Sequence, residues 1–149
     1  RLSLSKMRDQ RSRIVTQCRQ LFCQPVSIAI FAEGMRLTRR SREKQTVYRH
    51  LLSPHASGLA MALYAGDKQV AQLLDVTIAY DTGYVSGWLA FSGQLKVVEF
   101  HVNAVDIHAN QLVGDFSDRV YRKRLSLWTR SLWERKDALL AKIYARWGV

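Results

Sequence analysis

The chain has 149 residues, 48% of them hydrophobic and 23% charged, with a formal net charge of +11. That is the make-up of one ordinary soluble globular domain, able to bury roughly two-thirds of its unfolded surface. Wholesale disorder is excluded, and 8 Gly, 2 Pro and 2 Cys exclude collagen-like, low-complexity and disulfide-framework structure.

The start is polar and basic, with no apolar signal-peptide core, and no run of 18 apolar residues follows. Arg1 in place of Met reads as the start of an internal or C-terminal piece of a longer protein. Residues 5–22 have a helical rhythm, with Met7, Ile14, Cys18, Leu21 and Phe22 on one side, and Pro25 stops the helix. Cys18 and Cys23 read as two reduced thiols, with no zinc-spaced partner pair. Val26–Phe31 is a short apolar, β-branched run that predicts a buried strand. Residues 33–57 are polar and loop-like, with a short helix over Arg42–Leu51, and Gly58–Tyr64 predicts another helix. Leu73–Tyr80 predicts a second buried strand, ended by the turn signal Asp81-Thr82-Gly83. A short helical turn is expected at Trp88–Phe91 and a third strand over Leu95–Val102.

From Gly114 the tail reads as one long helix capped by Asp115 or Ser117. Tyr121, Leu125, Trp128, Leu132, Leu139 and Ile143 recur at helical spacing and predict a stripe packed on the sheet, with Trp128 and Trp133 in the core. The order of elements predicts an α/β fold, a mixed sheet flanked by helices in three layers, in a single domain over 1–149. Three strands make a small sheet for buried strands of this kind, a second sign that the domain is incomplete at the N-terminus.

The charge is uneven. Residues 1–50 hold 12 basic and 3 acidic groups, net +9; residues 51–110 hold 2 and 5, net −3; residues 111–149 hold 9 and 4, net +5. Two basic flanks attract anionic lipid, phosphorylated small molecules or nucleic acid. No nucleic-acid-binding motif accompanies them.

The richest stretch is Phe31-Ala32-Glu33-Gly34-Met35-Arg36, at the C-terminal end of a predicted strand, where α/β proteins place ligand sites. Gly34 can turn the chain at positive φ. Arg36 offers a planar fork for phosphate, and Glu33 can accept from a substrate hydroxyl or hold Arg36. Arg39 and Arg40, with Arg42 and Lys44 beyond them, raise the local positive potential. Read bare, the tetrad is a weak signal and reads first as a turn with a surface ion pair.

This stretch resembles the F-P-E-G-T-R motif of the lysophosphatidic acid and glycerophosphate acyltransferase family, closest to its YihG-like bacterial inner-membrane subgroup. The likeness continues through Leu51–Leu63, Leu73–Tyr80, Ser92-Gly93, Gly114-Asp115 and Leu132–Leu140, in order along nearly the whole chain. It implies a glycerolphosphate-acyltransferase-like fold that moves a fatty acyl group from acyl-CoA or acyl-carrier protein to a glycerol-phosphate or lysophospholipid hydroxyl. By the resemblance, Glu33, Gly34 and Arg36 bind the phosphate-bearing acceptor, with Arg36 on the phosphate. No bound cofactor and no metal is expected. The partners implied are the acceptor, the thioester donor and an anionic membrane surface, at the cytoplasmic face of the inner membrane.

The chain departs from the pattern in three ways. The family's Pro and Thr are Ala32 and Met35 here. His55 and Ser57 stand where basic residues are common in relatives. The family's H-x4-D, whose histidine would be the general base, precedes the Glu-Gly motif, and residues 1–32 contain no histidine. His101…Asp106 has the spacing but the wrong order, and it is rejected as catalytic. The expectation is therefore an acyltransferase fragment with the acceptor motif, no catalytic residue and no activity alone. The alternatives are an inactive lipid- or partner-binding module of the same fold and, on charge alone, a nucleic-acid-binding domain.

Overall fold

The computed structural model describes residues 13, 15–17, 19–34, 47–83, 88, 91–110 and 112–149. Residues 13, 15–17 and 19–21 are helical, as their rhythm predicts, and the helix gives way to turn residues before Pro25. Helix α1, Ser57–Gly66, starts after Pro54 and is built of helix-favouring Ala, Leu and Met. The backbone leaves the helix at Asp67, φ +42°, and the last helical residue, Gly66, packs tightly. A Cβ there would lie 2.6 Å from both Phe22 Cζ and Val70 Cγ2, so only glycine lets these segments meet. A single 3-10 turn, Asp67–Gln69, leads into strand β1, Leu73–Tyr80.

β1 pairs antiparallel with β2, Val98–Val105, in a register that sets Val76 opposite Val102 and Ile78 opposite Phe100. Facing residues share a side, so Leu74, Val76, Ile78 and Tyr80 join Val98, Phe100, Val102 and Ala104 on one wholly apolar face. Leu74, Val76, Val98, Phe100 and Val102 are exposed there. The other face carries Asp75, Thr77 and Ala79, and β1 lies against the C-terminal helix. Asp81 closes the connection: its carboxylate accepts the N–H groups of Lys96 and Val97 at 3.0 and 3.1 Å.

Helix α2 runs 29 residues, Arg119–Trp147, about 43 Å at the usual rise. Asp118, not Asp115 or Ser117, is its N-cap, accepting from Val120 N at 2.8 Å and Tyr121 N at 3.3 Å. Asp115 instead accepts from Ser117 N in the turn before it. Gly148 closes the helix in the left-handed conformation, φ +74°.

Two apolar clusters form along α2. The first joins Ala60 and Leu63 of α1 and Ile107 and Leu112 of the following loop to Tyr121 and Leu125. The Tyr121 hydroxyl donates to the Leu112 carbonyl at 2.8 Å, which satisfies the one polar group of this side chain. The second joins Ala79 of β1 to Leu140, Ile143 and Tyr144. Thr129, Leu132 and Lys136 lie buried between them.

The described residues thus form a two-stranded sheet with helices and one long C-terminal helix, compatible with an incomplete α/β fragment. Several sequence expectations are corrected. The described sheet is antiparallel, not mixed, and it does not have three strands. Among the described residues Val26–Phe31 joins no sheet, and it is exposed; Ile30 instead abuts α1 at Gly58. The third predicted strand starts at Val98 rather than Leu95, because Asp81 holds Lys96 and Val97 in the connection. Residues 47–51 are not helical, and the rest of the helix expected over 42–51 lies outside the described residues.

Candidate functional site

The Glu-Gly motif is a tight turn. The Gly34 N–H donates to the Phe31 carbonyl at 3.0 Å, and Gly34 sits at φ +70°, a conformation that glycine adopts at little cost. Phe31 points into solvent, 82% exposed. Arg36, Arg39 and Arg40 lie outside the described residues, so of the expected acceptor-binding set the structure places Glu33 and Gly34.

Two other segments hold this turn. The first is the loop 47–55. The His55 N–H donates to the Ala32 carbonyl at 2.7 Å, and the His55 ring lies 3.6 Å from the point a Gly34 Cβ would occupy. The Leu52 N–H donates to the Glu33 carboxylate.

The second is α2, through three residues of one turn: Trp133, Lys136 and Asp137. Trp133 brings its indole N–H beside the Glu33 carboxylate, close enough to favour the ionised form. That nitrogen is buried and makes no hydrogen bond of full geometry. Lys136 is 7% exposed. Its Nζ lies 2.5 Å from Asp75 Oδ1, donates to the Val76 carbonyl at 2.7 Å, and sits 5.1 Å from the centroid of the Trp133 ring. Asp137 accepts the Arg49 N–H at 3.0 Å and the His50 N–H at 2.7 Å. One helical turn therefore fixes the Glu-Gly turn, the loop that leans on it, and β1.

Burial is the largest influence on Glu33 and raises its pKa above the ordinary carboxylate value. The Leu52 N–H, the Trp133 indole and the Lys136 charge pull the other way without cancelling it. Glu33 thus points back toward α2, in a setting suited to holding the turn in shape.

Two proteins of Saccharomyces cerevisiae are similar to this chain. One is named a 2-acyl-1-lysophosphatidylinositol acyltransferase: it is 25% identical over 140 residues, covering 81% of this chain and 34% of the relative. The other is named an uncharacterized acyltransferase: it is 25% identical over 144 residues, covering 79% and 33%. The chain is similar to acyltransferases. It spans about a third of the length of these relatives. No family model matches the chain, and no solved structure matches it.

The spaced pair His101 and Asp106 is not brought together as a catalytic dyad. His101 Nε2 lies 2.7 Å from Glu99 Oε1 on β2, whereas Asp106 accepts the backbone N–H groups of His108 and Ala109, both at 2.8 Å, in the turn beyond. Among the described residues, no group of three or more His, Cys, Asp or Glu could hold a metal ion, and no helix is long and apolar enough to cross a membrane. Cys23 is a free thiol, and Cys18 lies outside the described residues.

The helical pattern predicts a core place for Trp133 and gives Lys136 and Asp137 no role of their own. The available signal was Lys136 itself: a lysine four residues after Leu132 and four before Leu140 lies on the apolar stripe, where a charge needs a buried partner.

Proposed function

We propose that this chain is the acceptor-binding part of an acyltransferase acting on a lysophospholipid or glycerol-phosphate acceptor. The observation that carries this reading is similarity along about four-fifths of the chain to two proteins named acyltransferases, one of them a lysophospholipid acyltransferase. The resemblance of Glu33-Gly34-Met35-Arg36 to the acceptor motif of the glycerophosphate acyltransferase family adds the assignment of roles. Arg36 takes the acceptor phosphate, Gly34 gives the turn that presents it, and Arg39 and Arg40 add positive potential. Glu33 holds the turn against α2.

In the reaction the acceptor hydroxyl oxygen attacks the carbonyl of an acyl-CoA or acyl-carrier-protein thioester. A C–O bond forms, the C–S bond breaks, and the hydroxyl proton passes by way of a general base to the departing thiolate. The base is the histidine of an H-x4-D segment, and the 149 residues alone do not turn over. The fold is glycerolphosphate-acyltransferase-like, of the YihG-like kind, working at an anionic membrane surface on the cytoplasmic face of the inner membrane. Basic residues near such a surface add roughly 1 kcal/mol each to binding.

The test is an assay of the intact protein with acyl-CoA and acyl-carrier-protein donors against lysophosphatidic acid and lysophosphatidylinositol. Acyl transfer to one of these acceptors, with Arg36→Ala raising the acceptor KM more than the donor KM, supports the reading. Binding to anionic vesicles without turnover on any pair replaces it with a lipid-binding module of the same fold.

A further inference from the structure

We propose that Lys136 is a positioning residue of the acceptor site, setting the Glu33–Gly34 turn through Trp133; the claim that this turn meets the acceptor rests on the function proposed above. The case starts from a buried charge. Lysine is almost never buried without a partner, and Lys136 has its partner in Asp75 and a further acceptor in the Val76 carbonyl. Those contacts tie α2 to β1 and would suffice for a structural bridge.

A bridge does not account for the rest of the geometry. The ammonium lies 5.1 Å from the Trp133 ring centroid, a cation–π distance, on the side chain whose indole nitrogen stands beside Glu33. The same ammonium acts on the Glu33 carboxylate through space. Lys136 thus pairs directly with Asp75 on β1 and acts more weakly, through space, on Glu33 of the turn. The His55 ring also lies close to the turn, at Gly34. A buried pair whose only task is cohesion can be replaced by apolar or neutral groups of similar shape at little cost. A residue that orients a third group cannot. Removing the ammonium frees the Trp133 ring and leaves the carboxylate half-buried with less positive charge near it. The Glu33–Gly34 turn then loses one of the constraints that hold it against α2.

The test uses Lys136→Met combined with Asp75→Asn, which removes both buried charges together and so avoids the unpaired carboxylate that Lys136→Met alone would leave. In the intact protein this double variant is expected to keep its fold by circular dichroism and its donor KM, and to raise the acceptor KM about tenfold, as small misplacements of binding groups do. In the 149-residue chain, carbon-13 NMR of the Glu33 carboxyl is expected to show it titrating at higher pH than in the wild type. Lys136→Arg, which retains a charge over the indole, is expected to recover most of the titration and the KM. An unchanged acceptor KM or an unchanged Glu33 titration in the folded double variant overturns the proposal. If the wild-type intact protein transfers no acyl group, the function reading fails by itself, and the Glu33 titration alone decides whether Lys136 sets the turn.

Discussion

Asp137 holds His50 by its backbone: the His50 N–H donates to Oδ1 at 2.7 Å, while Oδ2 takes the neighbouring Arg49 N–H. A carboxylate that receives two main-chain donors from a segment nearly ninety residues away fixes that segment's path. Asp137→Ala is expected to cost about 1–3 kcal/mol in urea unfolding, the usual penalty for stranding donors of a charged acceptor. Amide exchange should accelerate at Arg49 and His50. Unchanged exchange at both positions would show that the loop 47–55 is held by other contacts.

Leu125 is almost wholly buried in the cluster with Leu63, Ile107 and Tyr121. Leu125→Ala is expected to destabilise by about 2–5 kcal/mol, the transfer loss plus the cost of the cavity. Leu127, exposed on the same helix, is the control: Leu127→Ala should change stability by no more than about 0.5 kcal/mol.

Gly34 at φ +70° has ordinary contact room for a Cβ, so the cost of Gly34→Ala is conformational and not steric. A loss of about 1–2 kcal/mol is expected. Gly114 differs, since a Cβ there would run into the Tyr121 ring and force the packing apart. Gly114→Ala is therefore expected to lower the near-ultraviolet circular dichroism of the tyrosine and tryptophan environments, and Gly34→Ala to leave it intact.

Glu33 and Glu99 give stability opposite dependence on pH. Burial, the largest cause, raises the folded-state pKa of Glu33 above the unfolded value, so its contribution is fully present below the unfolded pKa and is lost as pH rises through the folded one. Arg146 first, then His101, holds the Glu99 carboxyl below the usual range. Its contribution is present above the unfolded pKa and is lost as pH falls through the folded value. The stability of the wild type relative to Glu33→Gln is expected to fall with rising pH through the upper carboxylate range. Relative to Glu99→Gln it is expected to fall on acidification below it. Paired urea titrations across pH 3 to about 7 read both slopes, and slopes of the same sign would contradict the assignment.

The sequence made some of this legible. Leu73–Tyr80 is found with the bounds its apolar run predicts, since β-branched residues ended by Asp-Thr-Gly leave little choice. The tail helix is equally plain, though its cap moves to Asp118, where an aspartate can reach the amides of the first turn. Helical spacing of apolar residues predicts a stripe through Trp128 and Leu139, whereas the buried line runs through Thr129, Lys136 and Leu140. Apolar counting skips a threonine whose hydroxyl is satisfied by the Leu125 carbonyl and a lysine paired with Asp75. Val26–Phe31 has the composition of a strand and no strand partner among the described residues; composition encodes an affinity for sheets and not the presence of one. At the candidate site the turn was legible from Glu33-Gly34. Its supports were not, because Trp133 and Lys136 come from a hundred residues away, and local patterns carry no long-range contacts.

The two apolar clusters meet α2 at its two ends, through Tyr121 and Leu125 on one side and Leu140, Ile143 and Tyr144 on the other. Trp133, Lys136 and Asp137 fall between, on a stretch of helix supported at both ends like a beam. Such a stretch cannot rotate or slide without lifting one of its supports, so the three residues keep a common phase. The two clusters should also melt as one cooperative transition, and a proline placed midway along the helix would split it into two.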